Sequence, residues 1–247
     1  MEKIKNLKKI IDNSSYTVFF GGAGVSTESG IPDFRSEEGL YNGKEIYNYS
    51  PEEILSIDFF TTHMNIFYEY HKKNIIHQEA KPNWAHKGLA QLEKMNKLKA
   101  VITQNIDGLH QKAGSKNILE LHGTVYRSYC MVCGEEYDLD YIMNSKNEVP
   151  KCSKCGGNIR PDVVLYGEGL DSKVIEKSVK HILNAQTLIV GGSSLVVYPA
   201  AGLIRYFKGE NLVLINKTST KFDNSANLTI RKPIGETFEK LMKLYNE

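Results

Sequence analysis

Four cysteines are the whole cysteine complement of the chain, and they fall as two C-x-x-C pairs. These are Cys130-Met131-Val132-Cys133 and Cys152-Ser153-Lys154-Cys155, separated by residues 134–151. Two knuckles at this spacing supply four thiolates to one tetrahedral zinc ion, and a filled coordination shell makes the metal structural rather than catalytic. Disulfides or a redox pair are the rival reading. The lack of a secretory signal and the doubling of the motif weigh against it.

A second stretch with chemical content is VFFGGAGVSTESGIPDFR, Val18–Arg35. An apolar strand, Val18-Phe19-Phe20, runs into Gly21-Gly22-Ala23-Gly24-Val25-Ser26-Thr27. A glycine turn after a strand lets a nucleotide diphosphate approach backbone N–H groups, because no Cβ stands in the way. The G-x-G-x-x-G dinucleotide fingerprint needs a third glycine where Thr27 stands, and an acidic strand end about 20 residues on is also missing. The chain instead continues through Glu28 to Arg35, with a carboxylate at Asp33, a ring at Phe34 and a guanidinium at Arg35. This predicts a nucleotide site that does not transfer hydride.

Of seven histidines, His63, His71, His77, His86 and His181 lie in helical patterns without an obvious partner and read as surface or core groups. His110 comes after Thr103-Gln104-Asn105-Ile106-Asp107-Gly108-Leu109 near a helix start, where capping or packing is the simplest role. His122 differs, because it ends the short apolar run Leu119-Glu120-Leu121 just ahead of the cysteines. A neutral imidazole at such a junction can accept a proton near neutral pH, which makes His122 the candidate base.

The elements that must position these groups are legible as apolar runs. Val18–Phe20, Ala100–Ile102, Thr187–Val190 and Leu212–Ile215 each end in Gly, Ser, Asn, Gln or Asp. Continuous apolar strands separated by helical segments form parallel sheets buried on both faces, and ligands bind beyond the carboxyl ends of such strands. The fold class is therefore α/β: a Rossmann-like parallel sheet with helices on both faces, plus a small zinc-binding lobe. The opening segment carries Ile4, Leu7, Ile10 and Ile11 at helical spacing and reads as a docking helix. Phe59 to Ile76 is predicted as one helix, with Phe60, Met64, Phe67 and Tyr68 as its core stripe, and another helix covers 86–93. Residues 36–60, with Tyr41, Tyr47 and Tyr49 and a helix start at Ser50-Pro51-Glu52-Glu53, read as a ligand-covering segment.

Charge is nearly balanced, 31 basic against 29 acidic residues, so no chain-wide field favours nucleic acid or membrane. Around the cysteines, Glu135, Glu136, Asp138, Asp140 and Glu148 outnumber Lys146, Lys151 and Lys154, which argues against phosphate binding there. No apolar run is long enough to span a bilayer. The expectation is a soluble, cytoplasmic protein.

Taken in order, Gly22–Ser26, Gly30–Arg35, Thr103–His110, Leu121–Gly123, the four cysteines, Arg160–Glu168 and Gly192–Pro199 closely resemble the sirtuin family. The resemblance covers almost the whole chain and is nearest to bacterial NAD-dependent protein lysine deacetylases. It implies one catalytic domain over 1–247, its large lobe built from both ends of the chain. The small lobe would comprise a zinc module at about 125–160 and a helical, covering segment at about 36–80. By this resemblance Gly22, Ala23, Gly24, Thr27, Phe34 and Arg35 contact NAD, Phe34 shielding the reacting ribose. Gln104, Asn105, Ile106 and Asp107 line the nicotinamide pocket, Asn105 and Asp107 with catalytic roles. Gly192, Ser193, Ser194, Asn216 and Ile234 hold the adenosine half.

The implied reaction consumes NAD as a co-substrate. The acyl oxygen attacks the ribose carbon as nicotinamide leaves, giving an alkylimidate, and His122 then activates a ribose hydroxyl. The products are lysine, nicotinamide and O-acetyl-ADP-ribose. The acetylated peptide would add a strand between Val163-Val164-Leu165-Tyr166-Gly167 and Val196-Val197-Tyr198. Relatives that prefer acidic acyl groups carry Tyr-x-x-Arg, and here the run is Tyr68-Glu69-Tyr70-His71, so uncharged acyl groups are expected. Protein ADP-ribosyl transfer, or NAD sensing without catalysis, are the competing readings.

Overall fold

A computed structural model of the chain describes residues 1–34, 39 and 49–247. Arg35 and, within the expected covering segment, residues 36–38 and 40–48, Tyr41 and Tyr47 among them, lie outside the described residues.

The chain opens with helix α1 (Glu2–Asn13) and strand β1 (Thr17–Gly21). Beyond them lie α2 (Pro51–Ile54), α3 (Ile57–Thr62), α4 (Met64–Tyr70), α5 (Trp84–Lys94) and β2 (Ala100–Thr103). Next come α6 (Leu109–Ala113), β3 (Ile118–Glu120), β4 (Gly123–Cys130), β5 (Glu136–Asp138), α7 (Leu139–Met143) and β6 (Ile159–Val163). The last third contributes α8 (Ser172–Asn184), β7 (Thr187–Gly191), β8 (Asn211–Ile215), β9 (Leu228–Ile230) and α9 (Ile234–Asn246).

The main sheet has six strands in the order β3-β2-β1-β7-β8-β9, all parallel. The four predicted strands form its centre, and the Leu119–Leu121 run supplies an edge strand. The far edge strand, β9, has no counterpart among the predicted strands, because three residues are too few to carry a pattern. Period-two alternation divides β1 between two cores. Phe19 faces one side with Leu7 and Ile11 of α1, Leu89 and Leu92 of α5, and Phe238 and Leu241 of α9. Val18 and Phe20 face the other side with Ile182 of α8 and Ala200, Leu203 and Ile204 of a 3-10 turn over 200–206. Truncating Phe19, which has no exposure, removes about 3–5 kcal/mol.

A second sheet, β5-β4-β6, is antiparallel and packs under α3 and α4 through Phe60, Phe67, Tyr68, Ile159 and Leu165. The single helix predicted over 59–76 is instead α3, α4 and a wide π turn over His71–Ile75. The break is at His63, with φ −135° and ψ 49°. Thr61 and Thr62 hydroxyls donate back to the Asp58 carbonyl at 2.9 and 2.8 Å, competing with the helical ladder. The stripe residues Phe60, Phe67 and Tyr68 are buried all the same, so the hydrophobic period holds through a change of local geometry. The helix start at Ser50 forms as expected, its hydroxyl accepting from the Glu53 N–H at 3.2 Å.

Candidate active site

The order of the main sheet reverses between β1 and β7, the place where a doubly wound sheet opens a crevice beyond its strand ends. Gly21 pairs with Gly191 there, and the two glycine turns pack backbone on backbone. The Gly24 N–H donates to the Gly192 carbonyl at 2.8 Å. A Cβ on Gly24 would lie 2.9 Å from the Gly192 Cα, and Gly192 has φ +57°, so the close approach needs both glycines. Ala23 begins a 3-10 turn over 23–25. The Thr27 hydroxyl donates to the Gly24 carbonyl at 3.1 Å and fixes that turn.

On the β7 side, Asn216 spends both ends of its amide on Ser193. It accepts from the Ser193 N–H and donates to the Ser193 carbonyl, each at 3.0 Å. The Gln104 amide donates to the Ser193 hydroxyl at 3.0 Å, bridging the ends of β2 and β7. Ser194 is exposed at the rim. At the start of α9, Gly235 and Glu236 N–H groups donate to the Glu28 carboxylate at 2.5 and 3.1 Å. The neighbouring Ile234 N–H has no partner among the described residues, and its side chain packs against Gly191.

Behind the loop after β2 lies a buried polar network centred on Ser26, which is 1% exposed. Its hydroxyl donates to Asp107 Oδ2 at 2.6 Å and accepts from Asn105 Nδ2 at 3.0 Å. His86 Nε2 stands 3.4 Å away. The Asn83 N–H donates to His86 Nδ1 at 3.3 Å, so in the neutral ring the proton sits on Nε2 and points at Ser26. Asp107 Oδ1 accepts the Leu109 N–H at 2.9 Å, at the start of α6. Asn105 and Asp107 are thus held by one hydroxyl. Burial pushes His86 well below its ordinary value, although the Asp107 carboxylate pulls it up. Ile106 ties this loop to the second sheet, its carbonyl accepting the Val125 N–H at 3.0 Å.

His122 sits where the two sheets meet. Its Nδ1 lies 2.9 Å from the Gln104 carbonyl, which can only accept, so Nδ1 carries the proton and Nε2 keeps its lone pair. Burial lowers the His122 pKa and the Gln104 carbonyl opposes that shift. The His122 carbonyl accepts the Val164 N–H at 3.0 Å, placing His122 beside the 163–167 segment. Arg160 frames that segment by a bidentate pair with Glu168 at 2.8 and 2.9 Å and a bond to the Val163 carbonyl at 3.2 Å. Glu168 in turn accepts the Leu165 N–H at 2.9 Å. Val163 pairs with Gly123, Tyr166 bridges to Ser56, and Gly167 is exposed. Across from it, Val196 and Tyr198 are half exposed and the Val196 N–H has no partner among the described residues.

The four cysteine sulfurs lie within 4.8 Å of one another. Cys130 to Cys155 is 3.5 Å and Cys133 to Cys152 is 3.6 Å. Those separations are far too long for a disulfide and close to the edge of a tetrahedron with metal–sulfur bonds of about 2.3 Å. Gly134 and Gly156, each following a C-x-x-C, adopt φ +72° and +75°, which turns each knuckle back onto its sulfurs. The cluster fits a structural zinc ion.

A model of the Sir2 family matches residues 22–199. The chain belongs to the Sir2 family. An NAD-dependent protein deacetylase of Clostridium acetobutylicum is 59% identical over 98% of this chain and 99% of its own. A solved Sir2 complex with p53 peptide and NAD+ has a TM-score of 0.87 at 40% identity, covering 98% of both chains. A histidine-to-alanine Sir2 variant with deacetylated p53 peptide and 3'-O-acetyl ADP-ribose has a TM-score of 0.89 at 40% identity, again over 98% of both.

Within this Sir2-family chain the crevice gathers Gly22, Ala23, Gly24, Gln104, Gly192, Ser193 and Ile234 around the ends of β1, β2, β7 and α9. Phe34 packs instead with the core of the second sheet. Arg35 lies outside the described residues. Residue-by-residue reading of the sequence misses Asn83, His86, Glu28 and Arg160. Ser26 and His86 carry no joint signal because 60 positions separate them in the chain. Arg160 and Glu168 bound one of the family-like motifs, and their opposite charges are a usable sign of a local ion pair.

Proposed function

We propose that the chain is an NAD-dependent protein lysine deacetylase that converts acetyl-lysine and NAD to lysine, nicotinamide and O-acetyl-ADP-ribose. The observation that carries this reading is His122. Its tautomer is set by a backbone carbonyl, its Nε2 lone pair is available, and it adjoins both the Gln104 loop and the 163–167 segment. The names of the relatives and the ligands of the solved Sir2 structures point the same way.

In this reading the Ala23 N–H, which has no partner among the described residues, faces the phosphates, while Gly22 and Gly24 let the loop backbone close against Gly192 and Ser193 where a Cβ would clash. Thr27 and Asn216 act through the turns they fix. Ser193, Ser194 and the open Ile234 N–H serve the adenosine half, and Gln104, Ile106, Asn105 and Asp107 the nicotinamide end. Phe34 and Arg35 complete the ribose side. NAD, when bound, supplies the electrophilic ribose carbon and the hydroxyl that receives the acetyl group. His122 takes the proton of that hydroxyl at Nε2, while Nδ1–H stays on Gln104 and keeps the ring from turning. The Asn105 amide, oriented by Ser26, and the two sheets around the site hold the reacting groups and exclude water.

The acetylated peptide lies between Val163–Gly167 and Val196–Tyr198, pairing with backbone groups such as the open Val196 N–H. The catalytic unit comprises a large lobe from both ends of the chain and a small lobe of the zinc module at about 125–160 with the 36–80 segment. Four cysteines committed to one metal suit a reducing compartment, which supports a cytoplasmic location. No helix among the described residues is long and apolar enough to cross a membrane.

The test is mass spectrometry of an acetyl-lysine peptide with and without NAD, using wild type and His122→Ala. Matched loss of acetyl and release of nicotinamide, abolished in the variant, is the expected result. Nicotinamide release with ADP-ribose on a protein assigns the transferase reading instead. NAD binding without consumption refutes both.

A further inference from the structure

Positive charge without a counter-ion among the described residues gathers at the end of the main sheet beside residues 196–198. Lys221 Nζ donates to the Tyr198 hydroxyl and stands 4.6 Å from the Tyr198 ring centroid and 5.5 Å from that of Phe222. Arg205, from the 3-10 turn over 200–206, adds a second cation whose charge acts on the same hydroxyl. The Lys221 bond, then the field of both cations, hold Tyr198 below the usual tyrosine value. Lys217 lies just past the carboxyl end of β8 and is exposed.

The carboxylate nearest in sequence, Asp223, is taken by Arg231. Glu210 precedes β8 and so lies at the opposite end of that strand. Among the described residues none of the ion pairs includes Lys221, Arg205 or Lys217. The chain as a whole carries only +2, so this local excess is not a sample of a basic surface. Tyr198 is 52% and Val196 53% exposed, so the cations flank an open strip of backbone.

We propose that Lys221 and Arg205 read an acidic residue flanking the acyl-lysine, making acidic stretches the preferred substrates of this chain. The inference rests on the proposed lie of the peptide along 196–198. Neighbouring strands run about 4.8 Å apart, and a Lys or Arg stem covers that distance with ease. An Asp or Glu on the paired peptide therefore meets two cations that no carboxylate among the described residues occupies. A lysine or arginine at the same place meets like charge.

The experiment uses an acetyl-lysine peptide with alanine on both flanks. Asp or Lys then replaces one alanine at a time, at three positions on either side. Initial rates give KM and kcat for wild type and for the double variant Lys221→Glu/Arg205→Glu. An exposed ion pair of about 0.4–1 kcal/mol, the upper part of the usual range, translates to a KM about two- to fivefold lower for Asp on one flank, with kcat unchanged. Lys at that position raises KM, and about 1 M salt erases both effects, because the screening length falls to about 3 Å. In the double variant the order of Asp and Lys reverses, while turnover of the all-alanine peptide and KM for NAD stay at wild-type values. That turnover also shows the variant is folded, and Lys221→Ala alone gives a partial loss should the double variant fail to fold. Deacetylation with a charge-blind KM, or a preference for acid that survives in the variants, overturns this inference alone. No deacetylation of any peptide overturns the proposed function and takes this inference with it.

Discussion

Lowering the pH from about 7 to about 5 destabilises this fold through histidines that burial keeps uncharged. His71 is the clearest case. It is 2% exposed, stacked on Phe67 at 5.3 Å, and neither ring nitrogen has a hydrogen-bond partner among the described residues. Burial, with a smaller push from Lys72, lowers its pKa from 6.5 to about 4. The folded value lies below the unfolded one, so the unfolded chain binds more protons between those limits and stability rises with pH. The contribution is fully present above about pH 6.5 and is lost as pH falls toward 4. Near pH 5 the unfolded ring is charged and the folded one is not, which costs about 2 kcal/mol relative to pH 7. His86 and His110, 0% and 1% exposed, are lowered by burial and act in the same direction.

The assay is urea unfolding at both pH values for wild type and His71→Leu, monitored by fluorescence of the one tryptophan, Trp84. Both proteins carry the same cysteines, so acid loss of zinc cancels in the difference. Wild type should lose about 2 kcal/mol more than the variant between the two conditions. Identical pH dependence in the two proteins refutes a neutral, unpartnered His71.

Ser26→Ala leaves Asp107, Asn105 and His86 short of one partner and should cost about 2–4 kcal/mol in stability. It should also lower kcat at least about tenfold, measured by nicotinamide release, because Asn105 loses its anchor. Metal analysis should find one zinc per chain, and Cys133→Ser or a strong chelator should remove it and unfold the β4-β5-β6 sheet by circular dichroism, as expected of a structural thiolate site. Acetyl-lysine should exceed succinyl-lysine in kcat/KM by at least about tenfold, since His71 is neutral and cannot grip a carboxylate as a guanidinium does. The Tyr68 hydroxyl, donating to the Ile159 carbonyl at 2.7 Å, is also already committed. The acid limb of kcat/KM should fall below the ordinary histidine value, in line with the lowered pKa of His122.

Much of this molecule is written locally. Apolar runs ending in glycine or polar residues determined a buried parallel sheet and the end of it that binds ligand, because strand burial and loop chemistry are properties of a few adjacent residues. The two C-x-x-C pairs likewise determined the metal site, since each knuckle closes within four residues and its following glycine. Three outcomes belonged to the tertiary structure. Thr61, Thr62 and His63 broke a helix that periodicity drew as continuous, because side-chain bonds to the Asp58 carbonyl leave the spacing of apolar residues untouched. Ser26, His86, Asn105 and Asp107 met in one network only when β1, α5 and β2 were packed, so no window along the chain contains them. The His122 tautomer, and with it the availability of Nε2, was decided by a carbonyl 18 residues earlier. Residue types name what chemistry is available, whereas which nitrogen holds the proton depends on what folds against the other.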